Sequence, residues 1–145
     1  MELSAFGAIM KFAMDREADV RTVITTMKSA EGFSLKELGE MIAADATKSI
    51  KLIEQTRREH VNELILEPVS GLDSSNYEFK ELASGELTEL QTGEYLTGIL
   101  DVIIGFYMEA AARITNPEAT RTFNRIAKAK MKLKASLEEY LSTPK

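Results

Sequence analysis

The chain has 145 residues, a length that fits one domain with its own buried core, and we expect a single domain over residues 1–145. It has no cysteine, which excludes disulfides and thiolate metal sites. The formal net charge of −5 argues against a nucleic-acid surface, so no nucleic-acid partner is expected. Abundant Ala, Leu, Ile, Glu and Lys with only three prolines indicate an all-α protein.

The longest apolar run covers residues 99–112 and predicts no membrane span. Asp101, two glycines and Glu109 interrupt it, and it falls short of the ~20 apolar residues that cross a bilayer. The N-terminal residues lack the pattern of a secretory signal, a basic start followed by an apolar run and a small-residue cleavage site. We therefore expect a cytoplasmic protein.

The first predicted helix covers residues 3–30, with Gly32 as its stop signal. Its apolar residues recur at helical spacing, and Glu17 lies in the middle of that apolar face. A buried carboxylate without a partner is costly, so Glu17 requires a cation, a metal ion or a raised pKa.

The second predicted helix opens at Ser34, which forms a capping box with Glu37, and Phe33 is placed for a hydrophobic staple. The helix should run to residue 66, before Pro68. Its inward stripe is polar for a core face and includes Asp45 and His60.

A crossover loop is predicted over residues 67–85, with a short helical turn over residues 76–83. The third helix then covers residues 86–114 and the fourth follows after a short link. Tight links make helices one and two, and helices three and four, antiparallel pairs, joined by one long crossover. Residues 38–42 also weakly repeat residues 123–127, as expected for a bundle built from two similar halves.

Helix three is apolar on nearly every side, which predicts either a central position or a second covered face. Gly98 and Gly105 are seven residues apart and would let another helix approach closely. We interpret this face as the contact of a homodimer.

Helix four is predicted to begin with Asn116 as its N-cap and Pro117 at the first helical position, and to end near residue 141. Lys130 falls in the middle of its apolar stripe, where an ammonium group needs a partner. The stripe consists of Phe123, Ile126, Ala127, Leu133, Leu137 and Leu141.

This stripe has the form F-x-x-I-A-x-x-K-x-x-L-x-x-x-L. It resembles the fourth helix of rubrerythrin-type ferritin-like proteins, F-x-x-L-A-x-x-E-x-x-H-x-x-x-L. Lys130 stands where that family has a Glu ligand, and Leu133 stands where it has a His. The resemblance implies a ferritin-like four-helix bundle.

The family holds a di-iron centre with one Glu on each of helices one and three and an E-x-x-H on each of helices two and four. Carried onto this chain, the resemblance implies that these ligands are largely lost and that the former site is lined by Glu17, Asp45, Lys48, Leu100, Asp101, Lys130 and Leu133. Of the family's six ligand positions two keep carboxylates, Glu17 and Asp45, and Asp101 lies beside Leu100 on helix three.

For the core charges, the sharper hypothesis is replacement of the metal by an ammonium group. In this hypothesis Lys130, alone or together with Lys48, neutralises Glu17 and Asp45. The alternative is that Lys130 extends along the edge of the bundle into solvent.

The sequence suggests three candidate functions of different classes. The first is a non-catalytic interaction or scaffold protein, without metal or cofactor. The second is a rubrerythrin-like oxidoreductase or iron-handling protein that binds iron with a reduced ligand set, Glu17, Asp45, His60 and Glu63. The third is a carrier of a small apolar ligand.

We find no nucleophile–base pair and no phosphate-binding glycine loop, so no catalytic residue is assigned. For His60 the simpler interpretation is a buried imidazole bonded to a neighbouring carboxylate or backbone group.

Overall fold

A computed structural model of the chain describes residues 1–28, 35–60, 68–80 and 87–143. These residues form four α-helices and one short 3₁₀ helix, Ser74–Tyr77, and contain no β-strand longer than an isolated bridge. The α-helices are α1 (Phe6–Lys28), α2 (Lys36–Glu59), α3 (Glu89–Arg113) and α4 (Pro117–Ser142). The predicted all-α class is therefore confirmed.

The start of α4 follows the sequence prediction. The Asn116 side chain accepts a hydrogen bond from the Ala119 backbone N–H at 2.9 Å, and Pro117 is the first helical residue. By contrast, α3 begins at Glu89 and not at residue 86. The reason is a capping box: the Thr88 hydroxyl accepts from the Gln91 N–H, and the Gln91 side chain accepts from the Thr88 N–H.

Residues 1–5 are extended, so the predicted start of helix one at residue 3 is wrong. The Leu3 N–H donates to the Leu72 carbonyl at 2.8 Å, and the Val69 N–H donates to the Ser4 carbonyl at 3.0 Å. Leu3 and Leu72 are both buried. This pairing with the crossover segment satisfies backbone groups that a longer helix would otherwise use.

Some predicted features lie outside the described residues. These are the Gly32 stop signal, the Ser34 half of the capping box, the Phe33 staple and the extension of helix two to residue 66. Within the described residues α2 begins at Lys36 and ends at Glu59, with His60 in the turn that follows. Of the predicted short helical turn over residues 76–83, residues 81–83 also lie outside the described residues; Asn76 and Tyr77 end the 3₁₀ helix Ser74–Tyr77, and residues 78–80 are not helical.

The helices pack in two pairs, α1 against α2 and α3 against α4, and the pairs meet mainly through α2 and α4 and also through α1 and α3. Asp101 of α3 contacts Lys134 of α4 at the surface of this second pair. The hydroxyl groups of Thr56 and Thr122 lie 3.4 Å apart across α2 and α4. Within the described residues, α2 ends at Glu59 and α3 begins at Glu89, with the 3₁₀ helix Ser74–Tyr77 between them.

The core contains a group of rings that joins α1, α3, α4 and the crossover segment. Its members are Phe12, Tyr77, Phe106, Tyr107 and Phe123, with neighbouring ring centroids 4.9–6.5 Å apart. Edge-on and tilted packing of this kind adds to the stabilisation from apolar burial. It also fixes the position of Tyr107, whose hydroxyl group extends towards α1.

The helix α3 is long and apolar enough to cross a membrane by length and composition alone. Central helices of soluble bundles pass the same test, and Leu96, Ile103 and Tyr107 of α3 are buried against the other helices. The outer side of α3 carries Gly98, which is exposed, and Gly105, which is half-buried.

Candidate functional site

Lys130 lies on the buried stripe of α4, and only 1% of its surface is exposed. Phe123, Ala127 and Leu137, which are also buried, lie on the same side because the helix repeats every 3.6 residues. An ammonium group at this depth loses its hydration, so the protein must provide acceptors.

Two carboxylates surround the Lys130 ammonium group. Its Nζ lies 2.8 Å from Glu17 Oε1 and 2.7 Å from Asp45 Oδ2, and Ser49 Oγ lies at 3.5 Å. The contact with Asp45 is a hydrogen bond, whereas the contact with Glu17 Oε1 is an ion pair without good hydrogen-bond geometry. The pairing of Lys130 with Glu17 and Asp45 that the sequence led us to expect is present in the structure.

The second oxygen of Glu17 has its own partner. Tyr107 donates its hydroxyl hydrogen to Glu17 Oε2 at 2.7 Å. Glu17 on α1, Asp45 on α2, Tyr107 on α3 and Lys130 on α4 therefore form one hydrogen-bonded and ion-paired group, which we call the core charge cluster. Each of the four helices contributes one of these side chains.

Burial is the main electrostatic influence on Glu17. It raises the pKa of Glu17, while the positive charge of Lys130 and the hydrogen bond from Tyr107 oppose that rise, and the charge of Asp45 adds to it. Burial also raises the pKa of Tyr107 well above its usual value, and the neighbouring Glu17 carboxylate adds to this effect. Tyr107 is therefore a neutral hydrogen-bond donor at physiological pH.

The core charge cluster is nearly closed to solvent. The Glu17 side chain is fully buried, and 15% of the Asp45 side chain is exposed, so solvent approaches the cluster from the Asp45 side. The Lys130 ammonium group lies between the carboxylate oxygens at the place where a metal ion bound by them would lie. A second cation there would meet strong repulsion at such distances.

Two residues that the family resemblance placed at the site lie elsewhere. Lys48 is exposed, because it is three residues after Asp45 and so roughly 60° further from the buried stripe of α2. Ser49, one position later, faces the cluster in its place. The Asp101 side chain is 54% exposed and pairs with Lys134 at the surface.

The two apolar residues predicted at the site differ in burial. Leu100 is 1% exposed, whereas Leu133 is half-buried. Both belong to the core or pack against it. Whether they line the position of a former metal ligand is a prediction that rests on the family resemblance.

The alternative ligand set of Glu17, Asp45, His60 and Glu63 does not form one site. Asp45 lies within α2 and His60 at its C-terminal end. The fifteen residues between these positions correspond to roughly 22 Å along the helix, at 1.5 Å per residue. Glu63 lies outside the described residues. Glu17 and Asp45 are paired with Lys130, whereas His60 lies at the far end of α2.

His60 makes contacts of its own with the start of α4. Its Nε2 lies 3.0 Å from Glu118 Oε2, and its Nδ1 lies 3.2 Å from the Asn116 side-chain nitrogen. This arrangement agrees with the simpler interpretation of His60 as an imidazole bonded to a neighbouring carboxylate. The sequence did not single out Glu118, because α2 and α4 are distant in the chain and only packing brings them together.

Two contacts of the core charge cluster were also missed. The sequence analysis assigned neither Ser49 to Lys130 nor Tyr107 to Glu17. The available signal was the polar character of the α2 stripe and the cost of burying a tyrosine hydroxyl without a partner. Neither signal identifies which group on another helix is the partner.

Comparison of the sequence with protein-family models, with curated proteins and with solved structures gives no match. The site is therefore interpreted from its own geometry and from the resemblance of the helix-four motif.

Replacement of Lys130 by methionine tests whether the buried ion pairs matter for stability. We expect Lys130→Met to lower the free energy of unfolding by about 3–5 kcal/mol, because Glu17 would remain buried without its cation. Urea denaturation at neutral pH measures the change. The matched control is Lys134→Met, which removes a partly exposed pair with Asp101 and should cost less than about 1 kcal/mol. Equal effects of the two substitutions would contradict an internal role for Lys130.

The loss caused by Lys130→Met should depend on pH. Without the ammonium group, burial raises the pKa of Glu17 further above its unfolded value. A carboxyl group with a raised pKa in the folded state stabilises that state below its unfolded pKa and loses this contribution as pH rises through the folded pKa. The stability difference from wild type should therefore be smallest near about pH 4 and grow towards neutral pH. Denaturation curves across this range, with Lys130→Met/Glu17→Gln as control, measure it; a constant difference would contradict the assignment to Glu17.

Proposed function

We propose that the chain is a ferritin-like bundle of rubrerythrin type that has lost its di-iron centre and acts as a non-catalytic interaction or scaffold protein. The observation that carries the proposal is the core charge cluster, in which Lys130 Nζ lies 2.7–2.8 Å from carboxylates of two other helices. An ammonium group and a bound metal ion would require the same acceptors and the same volume. The cation needed by the acidic groups is thus supplied by the chain itself.

The arrangement of the helices supports the ferritin-like part of the proposal. Among the described residues α2 ends at Glu59 and α3 begins at Glu89, a separation compatible with the single long crossover of ferritin-like bundles. In that fold, metal ligands project inwards from all four helices. Glu17, Asp45, Tyr107 and Lys130 likewise come from four different helices.

The chemistry of the cluster supports a role without turnover. Lys130 is held as an ion-paired group, and the Glu17 oxygens are occupied by Lys130 and Tyr107. A di-iron or other redox centre requires several carboxylates and imidazoles free to coordinate it. Function would then depend on the surface of the bundle, and a partner protein is the class of ligand that fits.

Restoring the family motif on α4 tests the proposal directly. The double variant Lys130→Glu/Leu133→His recreates E-x-x-H on the apolar stripe. We expect it to be destabilised without metal and to regain thermal stability with Fe²⁺, Mn²⁺ or Zn²⁺, because an ion would replace the lost ammonium group. Circular dichroism melts with each metal measure this. Addition of Glu17→Ala should abolish the effect, and a melting temperature that no metal raises would contradict a former metal position.

The second candidate function, a metal-binding oxidoreductase, has a separate test. Wild-type protein expressed with iron, manganese and zinc can be analysed for metal content. Near-stoichiometric metal that disappears in Glu17→Ala would favour this function and overturn our choice. Metal lost only in a His60 variant would lie at the end of α2 and would leave the proposal intact.

We also propose that α3 mediates a homodimer. Between Glu94 and Glu109, both exposed, α3 carries one charged residue, Asp101, which pairs with Lys134. The space beside Gly98 and Gly105 is open, and Met108 is 51% exposed. A second copy of α3, crossing at the two glycines, is the occupant that we propose for this stretch.

A lysine on the outer face of α3 should disrupt the dimer. We expect Gly98→Lys and Gly105→Lys to shift sedimentation from dimer to monomer, because a charge would be buried at the contact. Neither change should destabilise the folded chain, since an added Cβ meets no atom within 4 Å and glycine is a poor helix former. Ser136→Lys, at an exposed position of α4, is the matched control. A monomeric wild type would contradict the proposal.

A further inference from the structure

Three metal-binding side chains meet where the end of α2 contacts the start of α4. Glu59 and His60 come from α2 and its last turn, and Glu118 is the second residue of α4. One ligand atom from each lies within 4.8 Å of the other two. We propose that these residues, which we call the junction site, bind a divalent transition-metal ion of the zinc class.

The donor set determines the class of ion. Zinc accepts one imidazole nitrogen and carboxylate oxygens at about 2.0–2.2 Å, and a site with three protein ligands keeps a position for water. Ions such as Mg²⁺ prefer oxygen ligands only, so His60 disfavours them. The closest pair of donors, His60 Nε2 and Glu118 Oε2, is 3.0 Å apart, and the exposed Glu59 side chain can close the remaining distance.

The surroundings favour a cation. One ligand atom of Glu59 and one of Glu118 lie within 4.8 Å of each other. Two carboxylates this close repel each other, and a cation between them relieves the repulsion.

Asn116 controls which nitrogen of His60 is available. Its side-chain oxygen accepts from the Ala119 N–H as the N-cap of α4, so its NH₂ group faces His60 Nδ1 and donates to it. This places the imidazole proton on Nε2, where it is donated to Glu118. For an ion to bind Nε2, that proton must move to Nδ1 and the Asn116 NH₂ group must turn away, because two donors cannot face each other.

Aspartate at position 116 removes this conflict. A carboxylate can cap α4 with one oxygen and accept the Nδ1 proton of His60 with the other, the arrangement that orients metal-binding histidines in many zinc sites. Partners of this kind typically change metal affinity by about 10–100-fold. Asn116→Asp should therefore bind zinc more tightly than wild type by a factor in that range.

Isothermal titration with ZnCl₂ alone, near neutral pH in a non-coordinating buffer, tests the proposal. We expect saturable binding of one ion to wild type, tighter binding to Asn116→Asp, and loss of binding in His60→Gln and Glu118→Gln. MgCl₂ should not compete. The absence of saturable binding to wild type, its persistence in His60→Gln, or equal affinity of wild type and Asn116→Asp would overturn the proposal.

The control Glu17→Gln separates this site from the core charge cluster. Zinc binding at the junction site should be unchanged in Glu17→Gln, since Glu17 pairs with Lys130 and not with His60. Zinc binding lost in Glu17→Gln and kept in His60→Gln would place the ion in the core, overturning both the junction site and the proposed loss of the core centre. Circular dichroism of each variant checks that it is folded.

Discussion

The ion pair between Lys130 and Glu17 is the constraint on which the interior of the bundle depends. Each side chain is almost fully buried, and each would be strongly destabilising alone. Together they still pay a desolvation cost, so the pair is not by itself a source of great stability. Its importance is that neither partner can be moved or removed without leaving an isolated charge among apolar side chains.

This constraint determines how the four helices align along their axes. Apolar stripes alone permit a helix to shift by a turn, because leucine and isoleucine side chains pack acceptably in several registers. The core charge cluster does not permit such a shift, since Lys130 must reach Glu17 and Asp45 while Tyr107 reaches the other Glu17 oxygen. Specificity of register is the best-attested use of buried polar groups, and here all four helices take part.

The sequence predicted the members of this cluster to different degrees, for physical reasons. Lys130 and Glu17 were found because a charge in the middle of an apolar stripe requires a partner. Lys48 and Asp101 were placed at the site by family spacing, whereas the structure shows both side chains exposed on α2 and α3. The Tyr107 hydroxyl could not be assigned, since its partner is on a helix ninety residues away in the chain.

Acidic side chains at the centre and at the end of the bundle differ in their ability to bind an external cation. At the centre, the acidic groups are satisfied by an ammonium group fixed to the backbone, and an external cation would have to displace it from a nearly closed site. At the end of α2, Glu59 and Glu118 face an imidazole whose proton can move between two nitrogens, and solvent reaches them. The carboxylates at the two places are alike. What differs is their exposure to solvent and whether the neighbouring positive group, the Lys130 ammonium or the His60 proton, can move away. These two properties therefore decide where the chain could bind a small cation from solution.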